Sequence, residues 1–132
     1  MPRTPAEILA ETRTIALVGA SPRPERPSNS VLRYLLEHGY DVVPVRPGVD
    51  EIHGVRCVAS LGEIDGPVDL VDVFRRPEFC PGVAEEAVAA GAGALWLQLG
   101  VVSPEARRIA EEAGLDYVED ECTAIVHRRF RS

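Results

Sequence analysis

The stretch from residue 14 to residue 47 constrains the fold more than any other part of this chain. An apolar, β-branched run over residues 14–18 predicts a strand that ends at Gly19. A loop broken by prolines follows, then a helical period of apolar residues over 28–38 and a second strand over 41–45. Strand, glycine turn, helix and strand, in this order, are typical of the opening unit of a nucleotide-binding parallel sheet.

The rest of the sequence repeats this alternation of strands and helices. Apolar runs predict three further strands, at residues 68–74, 94–99 and 115–119. Helices are predicted at 4–13, 77–90 and 103–114, with a helix or an irregular tail at 121–130. Between the second and third main strands we expect a loop at 49–54, a short extended piece at 55–58 and one helical turn at 60–64.

Parallel strands joined by helices require right-handed crossovers, and these place helices on both faces of the sheet. The sequence therefore predicts a Rossmann-like α/β fold, doubly wound, with a mainly parallel sheet of about five strands. The chain of 132 residues is large enough to bury a core. We expect a single domain over residues 1–132.

Composition excludes several classes of function. The net charge of −7 argues against a nucleic-acid partner and against an acidic membrane surface. All 14 basic residues are arginine, because the chain contains no lysine. A P-loop lysine, a Schiff-base lysine and pyridoxal chemistry are therefore ruled out.

Cysteines and histidines are few and scattered. They are Cys57, Cys80, Cys122, His38, His53 and His127. No pair of cysteines has metal-ligand spacing, so we expect no metal site and interpret the cysteines as reduced packing residues. A signal peptide and a membrane-spanning apolar run are both missing from the sequence, which favours a cytoplasmic protein.

Ligands of such sheets bind at the carboxyl ends of the strands, beside the first strand. The candidate binding residues at those positions are Gly19, Ala20, Ser21, Arg46, Pro47, Phe74, Arg75 and Gln98. Together they offer backbone amides, a hydroxyl, guanidinium groups, an aromatic ring and a carboxamide. We identify no catalytic triad or carboxylate pair among them. The set therefore predicts a binding site, and we assign no catalytic residue.

Arg46 points to the class of nucleotide. An acid at the end of the second strand holds a bare ribose, whereas an arginine there accommodates a ribose that carries a phosphate. The ligand is then NADP or coenzyme A (CoA). The dinucleotide fingerprint fails, because Ser21 replaces its second glycine and Pro24 its third. What remains is a phosphate site formed by the glycine turn and the first amides of the helix near Ser28.

Several segments resemble a known family in the expected order. They are ALVGASP at 16–22, RPS at 26–28, HGYDVVPV at 38–45, VDVFR at 71–75, LWLQLG at 95–100, and Asp120 with Cys122. Over about residues 13–130 the sequence closely resembles the small stand-alone CoA-binding domain proteins of bacteria. These are similar to the N-terminal CoA-binding domain of the succinyl-CoA synthetase α subunit and of ADP-forming acyl-CoA synthetases.

This resemblance implies that CoA lies across the carboxyl edge of the sheet. Gly19, Ala20 and Ser21 would approach the phosphates, and Arg26 and Ser28 would help to close that loop. The strand ends Val45-Arg46-Pro47 and Val73-Phe74-Arg75 would line the ribose and adenine. That family usually has asparagine where this chain has Arg46, so the 3′-phosphate role of Arg46 is our inference from its position.

Three hypotheses about function remain. The leading one is a module that binds CoA or acyl-CoA and is non-catalytic on its own. An NADP-binding redox or sensor domain is the second. The third is a subunit of a split acyl-CoA synthetase, since this sequence contains neither a phosphohistidine domain nor an ATP-grasp domain. Homodimerisation or an unknown protein partner is compatible with each of them.

Overall fold

The computed structural model describes residues 2–131, so the two end residues of the predicted 1–132 domain lie outside it. Its α-helices are α1 (Pro5–Glu11), α2 (Pro27–Glu37), α3 (Cys80–Ala89), α4 (Pro104–Glu112) and α5 (Thr123–Phe130). Its strands are β1 (Thr14–Val18), β2 (Asp41–Val45), β3 (Glu51–Ile52), β4 (Val55–Arg56), β5 (Leu70–Val73), β6 (Ala94–Leu97) and β7 (Asp116–Val118).

Five of these strands form one parallel sheet in the order β2-β1-β5-β6-β7. Strand β1 pairs with β2 on one side and with the central strand β5 on the other, so that Ile15 lies between Val42 and Leu70. The chain first winds outwards from β1 to β2 and then returns across β1 to β5. The topological switch point therefore lies between β1 and β5, beside the first strand as predicted.

Helices cover both faces of the sheet. One apolar core contains Val71, Val73, Leu95 and Leu97 and packs beneath α3 and α4. The other contains the opposite side chains of the same strands and packs against α1, α2 and α5. Trp96 is fully buried in this second core, where its Nε1–H donates to the carbonyl of Glu121 at 2.8 Å. The predicted Rossmann-like α/β fold is confirmed.

Several boundaries differ from the predictions. The strand predicted at 94–99 ends at Leu97, because Val101 N donates to Gln98 O at 2.9 Å and closes a turn. Gln98 therefore follows the strand and does not lie within it. The strand predicted at 68–74 is shortened to residues 70–73, and the uncertain segment at 121–130 contains helix α5.

The segment after β2 is more ordered than the predicted loop at 49–54. Strands β3 and β4 form a small antiparallel hairpin, in which Glu51 pairs with Arg56. The chain then runs along the outer edge of β2, where Arg46 N donates to Val58 O at 2.8 Å and Val58 N donates to Pro44 O at 3.0 Å. This pairing covers the carboxyl end of the outer edge of β2 and holds Arg46 there.

None of the helices over residues 2–131 is long and apolar enough to span a membrane. The same residues bring together no group of three or more His, Cys, Asp or Glu side chains that could hold a metal ion.

Candidate functional site

A cleft of about 900 Å³ opens at the carboxyl edge of the sheet, beside the switch point. Four segments form its walls: the loop between β1 and α2, the end of β2, the loop from β5 to α3, and the turn after β6 together with the start of α5. This is the location that the strand order predicts for a ligand.

Eight of the twelve predicted site residues line this cleft. They are Gly19, Ser21, Arg26, Ser28, Arg46, Phe74, Arg75 and Gln98. The other four do not line it. Ala20, Val45 and Val73 are buried behind the cleft wall, and Pro47 is exposed beyond it.

Gly19 makes the sharp turn at the end of β1, with φ of +86°. A Cβ atom at this position would lie 2.5 Å from the carbonyl oxygen of Phe74, so the two neighbouring strand ends approach too closely for any side chain. The amides of Gly19 and Ala20 are both directed at the carbonyl of Val45, at 3.2 and 3.4 Å. These amides fix the turn to β2, and Ser21 is the next residue of the turn to face the cleft.

Asn29 anchors the loop that follows this turn. Its side-chain amide donates to Ser21 O at 3.0 Å, and its Oδ1 lies 2.9 Å from Nε2 of His53 in the hairpin. The Oγ of Ser21 accepts from Arg23 N at 3.1 Å. Asn29 is buried, although sequence reasoning did not select it as a site residue. The sequence feature that could have selected Asn29 is its place in the first turn of a helix whose later turns are buried through apolar side chains.

The amino end of α2 opens into the cleft without a side-chain cap. The residue before the helix is Arg26, which makes no capping hydrogen bond, and the first turn contains no acid. Ser28 is the second residue of the helix and lines the cleft while only 3% exposed. Pro27 has no N–H and Asn29 N donates to Arg26 O at 3.0 Å, so the amide of Ser28 and the helix dipole supply the partial positive charge that favours an anion here.

Five arginines line the same cleft: Arg23, Arg26, Arg46, Arg75 and Arg76. All five are exposed, and over the described residues none of them pairs with an acid. The described lining of the cleft includes no Asp or Glu. In a chain of net charge −7 this is a local concentration of positive charge. Arg23 and Arg76 were not among the predicted residues.

Two of these arginines are held in place by neighbouring groups. Nη1 of Arg46 donates to the carbonyl of Ala20 at 3.1 Å, which links the end of β2 to the glycine turn. The guanidinium of Arg75 lies 4.1 Å from the ring centre of Phe79, in cation–π contact. Their remaining N–H donors are available to a phosphate, which binds a planar guanidinium with two oxygens.

A buried polar group lies beneath the floor of the cleft. Asp72 in β5 is fully buried, and its carboxylate accepts hydrogen bonds from Gln98 Nε2 and, at 2.9 Å, from Thr123 Oγ1. Burial raises the pKa of Asp72 to about 7, although both hydrogen bonds act to lower it. Gln98 is the member of this group that lines the cleft, and its Nε2 donates to both Asp72 and Thr123 Oγ1.

The cysteines have different surroundings. Cys80 is buried in the core, with its Sγ near the carbonyls of Arg75 and Arg76, and burial raises the pKa of its thiol to about 11. Cys122 is half-buried and lines the cleft immediately before α5. Cys57 and Cys122 pack against the second core, so the packing role expected of the cysteines describes all three, and Cys122 lines the cleft as well.

A sequence model of the protein family described as "CoA binding domain" matches residues 13–128. The chain belongs to this family. The match contains every element of the cleft wall, from β1 to most of α5, so the family assignment applies to the domain that forms the cleft. It supports a CoA-binding role for the chain.

Two similar proteins differ in how much of their own length matches this chain. The uncharacterized protein YneT of Bacillus subtilis is 46% identical over 121 residues, which cover 92% of this chain and 90% of YneT. The acetate–CoA ligase (ADP-forming) I subunit alpha of Pyrococcus furiosus is 30% identical over 86 residues, covering 61% of this chain but 19% of the ligase subunit. The same domain thus resembles both a small protein and part of a much larger one.

A solved structure has the same architecture. The hypothetical protein from Pyrococcus horikoshii OT3 is 41% identical and superimposes with a TM-score of 0.93, covering 98% of this chain and 94% of its own. This agreement extends over the whole CoA-binding domain, including the cleft.

Proposed function

We propose that this chain binds CoA or acyl-CoA in the cleft at the carboxyl edge of its sheet and is non-catalytic on its own. The observation that carries the proposal is the set of five arginines that line the cleft together with the uncapped amino end of α2, with no acid among the described lining residues. CoA carries three phosphate groups, and a cleft with this donor set suits a polyanion.

The residues near the glycine turn would hold the pyrophosphate. Ser21 and Ser28 present hydroxyls to the cleft, Arg26 adds a guanidinium, and the amino end of α2 adds partial positive charge. Gly19 has no side chain and therefore allows the ends of β1 and β5 to approach closely where they form this part of the cleft wall. Ala20 and Val45 contribute through the backbone bonds that fix the turn.

The strand ends on either side of the turn would hold the nucleoside. Arg46 extends from β2 and, in this proposal, binds the 3′-phosphate of the ribose. Phe74 and Arg75 follow β5 and supply flat surfaces for the ribose and adenine. Pro47 and Val73 flank these positions and shape the strand ends, with Val73 fully buried.

Non-catalytic binding is supported by the composition of the cleft. Its described lining offers Ser21, Ser28 and Cys122 as possible nucleophiles, and no histidine or carboxylate accompanies them there. Activation of such nucleophiles ordinarily needs an adjacent base. Any ligase reaction would then depend on additional protein, as in a split acyl-CoA synthetase.

Calorimetric titration of ligand-stripped protein with CoA, dephospho-CoA and NADP tests the proposal. We expect CoA to bind with micromolar affinity or better and NADP to give no heat of binding. Binding of NADP without CoA would replace the proposal with a redox or sensor function. No binding of any of the three would reject it for the isolated chain.

The substitution Arg46→Glu tests the position of the 3′-phosphate. We expect CoA affinity to fall by about 1.5–3 kcal/mol because a charge-assisted hydrogen bond is lost. Dephospho-CoA lacks this phosphate, so its affinity should change little. Arg33→Glu is the matched control, since Arg33 is exposed on α2 and does not line the cleft. An equal loss for both ligands would contradict the assignment.

A further inference from the structure

Polarity changes along the cleft from one side of the sheet to the other. Arg46 follows β2 and Arg23 and Arg26 follow β1, at one end of the strand order. Arg75 and Arg76 follow β5 in the middle. From β6 onwards, the described lining residues carry no charge. The cleft is thus basic at its β2–β1 end and uncharged at its β6–α5 end.

Exposed apolar side chains are concentrated in this cleft. The large apolar residues most exposed to solvent in the described chain are Phe79, Leu99, Val102, Ile125 and Phe130. Three of them, Phe79, Leu99 and Ile125, line the cleft. Leu99 is 66% and Ile125 44% exposed. Single exposed apolar residues need no explanation, but a group that shares a cavity indicates an apolar ligand or partner.

Hydrogen bonds within and between two loops hold the β6–α5 end of the cleft in its shape. The turn that carries Leu99 and Val101 is closed by the bond from Val101 N to Gln98 O, and Gly100 N donates to Oδ1 of Asp120 at 2.7 Å. Asp120 N donates in return to Val101 O at 3.2 Å. The turn is therefore tied to the segment that leads into α5, and a ligand need not order it on binding.

We propose that this end of the cleft, formed by Leu99, Val101, Cys122 and Ile125, holds the apolar acyl group of an acyl-CoA. The chain would then prefer CoA thioesters with an apolar acyl chain over CoA itself. This inference rests on the proposed function. Once the phosphates lie among the arginines near β1 and β2, the rest of an extended ligand continues towards β6 and α5. The apolar surface is continuous with the cleft, which favours a part of the same ligand as its occupant.

Titration with CoA, acetyl-CoA, butyryl-CoA and hexanoyl-CoA tests this inference. Each methylene that leaves water for an apolar surface strengthens binding by up to about fourfold. In a half-open cleft we expect about twofold or more per methylene, so that hexanoyl-CoA binds at least about tenfold more tightly than CoA. Affinity that does not change with chain length would overturn the acyl site and would point to a protein partner on this surface.

The double substitution Leu99→Asn with Ile125→Asn locates the effect. Both side chains are exposed, so the folded protein should tolerate the change. We expect the preference for hexanoyl-CoA to disappear while the affinity for CoA stays within about twofold. Phe130→Asn is the matched control, because Phe130 is 61% exposed and does not line the cleft. A double variant that retains the preference would place the acyl group elsewhere.

The titrations separate the two proposals. If CoA and hexanoyl-CoA bind equally well, CoA binding stands and only the acyl site is rejected. If neither binds, the proposed function fails and the acyl site fails with it.

Discussion

At the scale of single residues, Asp72 is the most unusual feature of the chain. A carboxyl group in the middle of a parallel sheet is expensive to bury in its charged form, and here two side chains donate to it. Because Gln98 Nε2 is committed to Asp72, the oxygen of its carboxamide is the end left for the cleft.

The pKa of Asp72 predicts a dependence of stability on pH. The folded-state pKa of about 7 lies above the ordinary value of 3.8, so between these values the native state retains a proton that the unfolded state releases. The free energy of unfolding contributed by this group is therefore greatest below about pH 4. It declines as pH rises to about 7 and is constant above that.

We expect Asp72→Asn to remove this dependence. Between about pH 4.5 and 8, wild-type stability should fall relative to the variant by a few kcal/mol at most. Urea denaturation of both proteins across this range measures the difference, in which the titration of all other groups cancels. Parallel stability curves for the two proteins would show that Asp72 titrates at its ordinary pKa.

At the scale of secondary-structure elements, the junction of β1 with β5 determines the shape of the cleft. Phe74 N donates to Val18 O at 2.8 Å, and the chain turns away at Gly19 immediately afterwards. The turn leads β1 into the loop of Ser21, which Asn29 ties to α2. Gly19 and the side-chain amide of Asn29 thus fix the positions of β1, the Ser21 loop and α2 relative to one another.

Gly19→Ala should be destabilising for two reasons, the positive φ and the clash with the carbonyl of Phe74. We expect a loss of about 2 kcal/mol or more in the free energy of unfolding, measured by urea denaturation. Gly39→Ala is the matched control, because Gly39 has φ of +89° and no atom lies within 4 Å of the position that its Cβ would occupy. The control should lose only about 1 kcal/mol. Equal losses would show that the close approach to Phe74 has no energetic consequence.

At the scale of the whole molecule, charge is distributed unevenly. The chain has net charge −7, yet the described lining of its main cleft contains five arginines and no acid. The acids elsewhere on the chain repel an anionic ligand at long range. Its binding therefore depends on contacts inside the cleft. Filling the cleft with a polyanion also relieves repulsion among the arginines themselves.

A ligand that binds the native cleft should stabilise the entire domain. At a CoA concentration about 100 times its Kd, the free energy of unfolding should rise by about 2.7 kcal/mol. For a domain of this size the Tm should increase by about 5–10 °C. Thermal unfolding followed by circular dichroism measures the shift, with adenosine as a control that lacks the phosphates. A Tm that CoA leaves unchanged would contradict binding to the native state.

The order of strands and helices was determined by sequence alone, because apolar periodicity records which face of each element is buried. The same pattern predicted a ligand site at the carboxyl edge and selected six residues that line the cleft there, and the family resemblance added Arg26 and Ser28. Ala20, Val45 and Val73 lie at or near strand ends but have buried side chains, a difference that position along a strand does not reveal. Strand ends share an edge, whereas side chains alternate between opposite faces.

Only the tertiary structure decided the contacts between segments distant in sequence. The amide of Asn29 reaches Ser21, Asp72 meets Thr123, and Cys122 joins the cleft opposite the arginines. No periodicity carries this information, because each contact depends on how a loop or a helix start is placed against the finished sheet. The polarity of the cleft, basic at one end and apolar at the other, likewise arises from the spatial order of the strands, which differs from their order in the sequence.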